Sequence, residues 1–199
     1  TDEAALLPKM RPTARRNFHA NLITCLISVY GTTRDRDALV RTADDYLAML
    51  DAYYLDPEVV RRRPYIPKEM SYLVCYYTMC TSPLIDRQRA GAYYDRYRRF
   101  VESSSSQDNM LLDRHWFYNI SVSYYEHWGD YANAMVYNDS LILVSRPAGM
   151  SAQLADMYAR RANLYERMGR YKEAGGAYRE VIAVRDSLAS LQYAQRVGE

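Results

Sequence analysis

The 199 residues (23.2 kDa) are 49% hydrophobic and 25% charged, which excludes a disordered tail and leaves room for one substantial core or several stacked repeats. A net charge of +2 excludes a long-range field of the kind that draws nucleic acid or an anionic membrane. No apolar run approaches the roughly 20 residues needed to cross a bilayer.

Tyrosine is the compositional outlier, with 21 Tyr against 3 Phe and 2 Trp, and suits half-buried helix contacts with one wet end. Cys25, Cys75 and Cys80 form an odd set without metal spacing, each inside an apolar helical stretch. They are expected as buried free thiols with no disulfide, which mildly favours a reducing compartment. The basic residues are nearly all Arg, since Lys occurs only at 9, 68 and 172. The clusters Arg61, Arg62, Arg63 and Arg96, Arg98, Arg99 are expected to be solvated surface. The chain begins at Thr1, so the lack of a leader-like start carries no information on location.

In chain order, helix formation is predicted from Thr13, which can cap a first turn. Phe18, Leu22, Cys25, Leu26 and Val29 mark its inward face. A second helix follows from about Arg36, with Leu39, Ala43, Tyr46, Leu47 and Leu50 inward, and ends near Asp56 and Pro57. The segment from Asp56 to Pro67 is a Pro-interrupted connection with room for a short helix at 57–62. Pro67 suits a first helical position, and Met70, Leu73, Val74 and Tyr77 give the next inward stripe. Its partner helix is predicted to start at Ser82 and Pro83, with Ala90, Tyr94 and Tyr97 inward. Ser103 to Ser106 reads as a flexible connection within one domain.

The last part repeats itself. Tyr118, Val122, Tyr125, Gly129, Tyr131, Ala134 and Leu141 each stand 40 residues before Tyr158, Ala162, Tyr165, Gly169, Tyr171, Ala174 and Val181. Asn138 takes the place of the large residue Tyr178. In each copy two amphipathic helices flank a Gly able to end a helix at positive φ, and a small Ala lets the helices approach closely. Pro147 to Gly149 lengthens the link between the copies. After Asp186, Leu188, Leu191, Ala194 and Val197 have helical spacing of their own and predict the start of a further helix at 188–199.

At Tyr158, Ala162, Tyr165, Gly169, Tyr171, Ala174, Tyr178 and Val181 the chain resembles the tetratricopeptide (TPR) repeat. Arg161 departs from the pattern, which usually has Leu there. The resemblance implies an all-α fold, a single TPR-like α-solenoid over 1–199 of about four stacked antiparallel hairpins at about 13–56, 67–103, 108–146 and 151–187. In such hairpins the first helices line a concave groove. Position by position, that groove would include Trp116, Asn119, Ser123, Asp156, Ala159 and Asn163. Asn119 and Asn163 are the expected backbone clamps, because an amide both donates and accepts. Trp116 is an exposed anchor in one reading and packed under the Ser-rich connection in the other.

The end of the chain, at Arg185 to Leu188 and Tyr193 to Gln195, is similar to the close of the TPR sensor region in bacterial membrane histidine kinases. That resemblance implies a non-catalytic ligand- or protein-binding sensor module of a two-component kinase, in the periplasm, joined to the membrane only through segments outside this sequence. Its partner would be a protein, a peptide or a small ligand, with a homodimer in prospect and no nucleic acid expected. The alternative is a cytoplasmic TPR interaction scaffold or the regulatory part of a transcription regulator. No catalytic, metal or cofactor motif stands out. His115 and His127 are not a ligand pair, and Gly175 and Gly176 lie inside a predicted helix without a preceding strand, so they are no phosphate loop.

Overall fold

A computed structural model of the chain describes residues 23, 25–26, 29–62, 70–104, 110–147 and 151–197. The fold is all-α. Eight helices and no strand are found among the described residues. The chain divides into two compact units, Thr1–Asp108 and Asn109–Glu199, at the end of the Ser-rich stretch. The predicted start at Thr13, Pro67, and the faces at Phe18 and Leu22 lie outside the described residues.

In the first unit, α1 (Arg36–Leu55) is capped by Asp35, whose carboxylate accepts from the Ala38 amide at 3.1 Å. Its buried residues, Leu39, Val40, Ala43, Tyr46, Leu47, Leu50 and Tyr54, keep the spacing of one helix face. Asp56 ends it, and Pro57 opens the short α2 (Pro57–Arg62), where a missing N–H costs nothing. Next come α3 (Met70–Thr81) and α4 (Arg87–Ser104), which pack on each other and on α1.

Three expectations fail in this unit. Cys25 and Val29 are exposed while Ile23 is buried, so the first predicted face is misregistered, although Cys75 and Cys80 are buried as expected. On α3, Met70 and Tyr77 are exposed, and the core takes Tyr72, Cys75, Tyr76, Met79 and Cys80 beside Leu73. The cause is polar: the Tyr72 hydroxyl donates to Asp51 at 2.5 Å and Tyr76 to the same carboxylate at 3.3 Å, which rolls the helix toward its tyrosines. Finally, Ser82 and Pro83 do not begin α4. Ser82 instead closes a turn, its hydroxyl and carbonyl accepting from Leu84 and Ile85, and Asp86 caps α4 through the Arg89 amide at 2.9 Å.

The second unit holds α5 (Met110–His127), α6 (Tyr131–Ser145), α7 (Ser151–Arg167) and α8 (Tyr171–Val197), each packed on the next. The 40-residue repeat in the sequence is a repeat in hydrogen bonding. Gly129 and Gly169 have φ of +77° and +73°. Asp130 donates to the Tyr125 carbonyl and Arg170 to that of Tyr165, both at 2.8 Å, while each Gly amide reaches the carbonyl three residues back. That pair of bonds is the Schellman stop. Asp130 then caps α6 through Asn133, whereas the Arg170 side chain has no acceptor to offer and instead pairs with Glu173 and lies 4.7 Å over the Tyr165 ring.

Val122, Ala134, Met135 and Leu164 form one core cluster of this unit, and Leu141, Ile142, Met157, Tyr158 and Val181 form another. Ala134 and Ala174 are buried as the repeat requires. The separate helix predicted at 188–199 is absent, because α8 runs unbroken from Tyr171 to Val197. No Gly or Pro interrupts it after Gly176, and the Ser187 and Ser190 hydroxyls donate back to the Ala183 and Asp186 carbonyls within the helix.

Candidate ligand-binding site

A pocket of about 190 Å³ opens in the second unit between α5 and α7, with Leu141 of α6 also in its lining. His115 and Asn119 come from α5, and Gln153, Asp156, Met157 and Arg160 from α7. Those four α7 positions fall on one helix stripe, so a single face meets α5.

Arg160 ties the two helices together. Its Nε donates to Glu126 Oε2 at 2.8 Å, Nη2 to Ser123 Oγ at 2.8 Å and Nη1 to Asn119 Oδ1 at 3.3 Å. Three acceptors on successive turns of α5 therefore hold one planar guanidinium. The Arg160 and Glu126 side chains are 27% and 34% exposed, so water still reaches the pair and its Coulomb energy is moderate. Earlier on α5 the His115 Nδ1 lies 3.1 Å from the hydroxyl of buried Ser145 on α6. Burial pushes the His115 pKa below its ordinary value and keeps the ring neutral at pH 7.

Of the six groove residues expected from the sequence, Asn119 and Asp156 line this pocket. Ser123 is buried, bonded to the Asn119 carbonyl and to Arg160, so it supports the wall without facing a ligand. Ala159 packs on the Leu141 cluster. Asn163 is exposed and accepts from the Tyr178 hydroxyl at 3.2 Å, away from the pocket lining. Trp116 is half-buried and edge-on to His115, with ring centroids 5.9 Å apart, and is not the exposed anchor of the first reading.

Sequence reasoning missed His115, Gln153 and Arg160 as lining residues. One signal was available for Arg160. It occupies the repeat position of Ile120, a core residue 1% exposed, so a charged side chain there had to find partners on a neighbouring helix. Arg161, the departure from the repeat pattern, is satisfied on the far side of α7 by Asp139 of α6 at 2.7 Å and Glu180 of α8 at 3.2 Å. It bridges three consecutive helices where the pattern would place a leucine.

A second polar cluster lies in the first unit. Asp51 accepts from Tyr72, Tyr76 and Arg96 Nε, the last at 2.8 Å, while Tyr93 donates to Asp44 at 2.6 Å. Burial raises the pKa of Tyr72, Tyr76 and Tyr93, and carries the Cys75 thiol to about 12, so these groups stay protonated and unreactive. The cluster has the character of a core cross-link. Arg96, Arg98 and Arg61 are accordingly paired with Asp51, Asp95 and Glu58 and are not a free cationic patch.

Among the described residues no group of three or more His, Cys, Asp or Glu is placed to hold a metal ion, and no helix is long and apolar enough to cross a membrane. No family model matches the chain, and neither a curated protein nor a solved structure matches it.

Proposed function

We propose that this chain is a non-catalytic, TPR-type binding module that senses a ligand or partner for a two-component histidine kinase. The observation that carries the binding reading is the α5–α7 pocket, whose walls include two residues, Asn119 and Asp156, at the positions the repeat pattern assigns to its groove. Support for the repeat comes from the identical stops at Gly129 and Gly169. In this reading occupancy of the pocket alters how α7 sits on α5. The change passes through α7 to α8, whose 27 residues exceed the 17 of α7 and continue beyond its packing partner.

The second reading, a cytoplasmic interaction scaffold or regulatory domain, is favoured by Cys75 and Cys80, which are free buried thiols. The native reading frame on both sides of the chain separates the two. An apolar run of about 20 residues followed by a phosphoacceptor-histidine helix and nucleotide-binding boxes supports the kinase. A stop codon, or a helix-turn-helix without a membrane segment, overturns it.

A further inference from the structure

We propose that the pocket between α5 and α7 takes a primary ammonium group on a short apolar chain, with the Asp156 carboxylate as its counter-ion. This rests on reading the second unit as a binding module and names the chemistry of what it binds.

Two charged side chains line the pocket, Asp156 and Arg160, one turn apart on α7. That spacing allows an ion pair along the helix, and none forms. The Arg160 guanidinium is turned to α5, where Glu126 matches its charge and Ser123 and Asn119 take further N–H groups. Asp156 is exposed and makes no hydrogen bond or ion pair among the described residues. The open charge of the pocket is therefore one negative charge beside an already neutralised positive one.

The rest of the lining agrees. His115 is desolvated and neutral, so it is no competing cation. Buried Leu141 and Met157 offer apolar surface for methylene groups, and the Gln153 amide carries a neutral acceptor beside the carboxylate. An ammonium, with three donors and no acceptor, uses such acceptors fully. A carboxylate or phosphate would meet Asp156 directly and would have to compete with Glu126 for Arg160. A volume of about 190 Å³ far exceeds the space one water needs and has room for a charged head and a short chain.

The test is ligand-observed NMR titration of the full 199-residue chain with three probes: n-butylammonium, N-acetyl-lysine N-methylamide and butyrate. At least one ammonium probe should bind about tenfold or more tightly than butyrate. Asp156→Asn should weaken that binding about tenfold, a difference of about 1.4 kcal/mol, while leaving the thermal melt unchanged because the side chain is exposed and unpaired. Tighter binding of the blocked lysine assigns the group to a partner's side chain, and tighter or equal binding of n-butylammonium assigns it to a free amine. Butyrate binding more tightly than both, or an Asp156→Asn variant of unchanged affinity, overturns the ammonium inference and leaves the binding module standing. Silence from all three probes overturns the inference and removes this pocket as the module's site, whereas the kinase reading stands or falls separately with the flanking sequence.

Discussion

Replacing Asn138 by Leu should stabilise the second unit, against the usual direction of core substitutions. Asn138 lies on α6 and is 0% exposed. Its Nδ2 donates to the Met157 carbonyl at 3.1 Å, while its Oδ1 is buried without any partner. An orphaned buried acceptor costs about 1–3 kcal/mol, and the single bond that is made contributes about 1 kcal/mol. Met157 lies inside α7, so its carbonyl keeps the helix's own amide when Nδ2 is removed. Leu has the same branching and number of heavy atoms as Asn, which limits overpacking beside Leu141 and Met157. The balance is a gain of up to about 2 kcal/mol. For a unit of this size each 1 kcal/mol moves Tm by about 4–8 °C. Circular dichroism melts and urea unfolding, with an unchanged m-value as the check on compactness, measure it. A Tm lowered by several degrees at constant m would refute the reasoning and show that Oδ1 has a partner, such as a bound water, worth more than the apolar gain.

Ala134→Arg or Ala174→Arg should each cost about 3–5 kcal/mol by forcing a charge between packed helices, since both alanines are buried against a neighbouring helix; proteolysis mapping should show the affected hairpin opening, and parental melts for both would make the repeat register wrong. Gly175→Ala should stabilise by about 1 kcal/mol, because an added Cβ meets nothing within 4 Å in the second turn of α8; a loss in chemical denaturation would mean a neighbour occupies that space. His115 gives a pH dependence whose sign follows from burial. Its folded pKa lies below the ordinary 6.5, so the unfolded chain binds the extra proton, and stability is full above that value and falls as pH drops below it. His115→Gln should flatten that part of the stability–pH curve, and an unchanged slope would assign the acid sensitivity to other groups.

The second unit is largely legible in the sequence. Gly129 and Gly169 announced the stops, and Ala134 and Ala174 the close approaches. These are local rules: a positive φ or a small side chain is demanded by the residues within one turn of it. The all-α class followed from spacing that repeats along the whole chain. The first unit was read less well, and α3 shows why. Tyrosine fits an inward or an outward position, and hydropathy alone favoured the stripe at Met70, Val74 and Tyr77. Tyr72 and Tyr76 went inside because Asp51, more than 20 residues back along the chain and itself held by Arg96, gave their hydroxyls an acceptor.

The pocket depended on the same kind of information. Asn119 and Asp156 could be named from repeat positions, but their roles diverged when Arg160 turned to Glu126 and left one of them bonded and the other open. Asn138 was visible as an anomaly in the repeat, and only packing made its oxygen an orphan. The sequence by itself determined helices, stops and close contacts, because backbone sterics and hydrophobic spacing act within a few residues. Tertiary structure decided the faces of the tyrosine-rich helices and the charge left open in the pocket, because a buried hydroxyl or guanidinium goes wherever a distant partner can satisfy it.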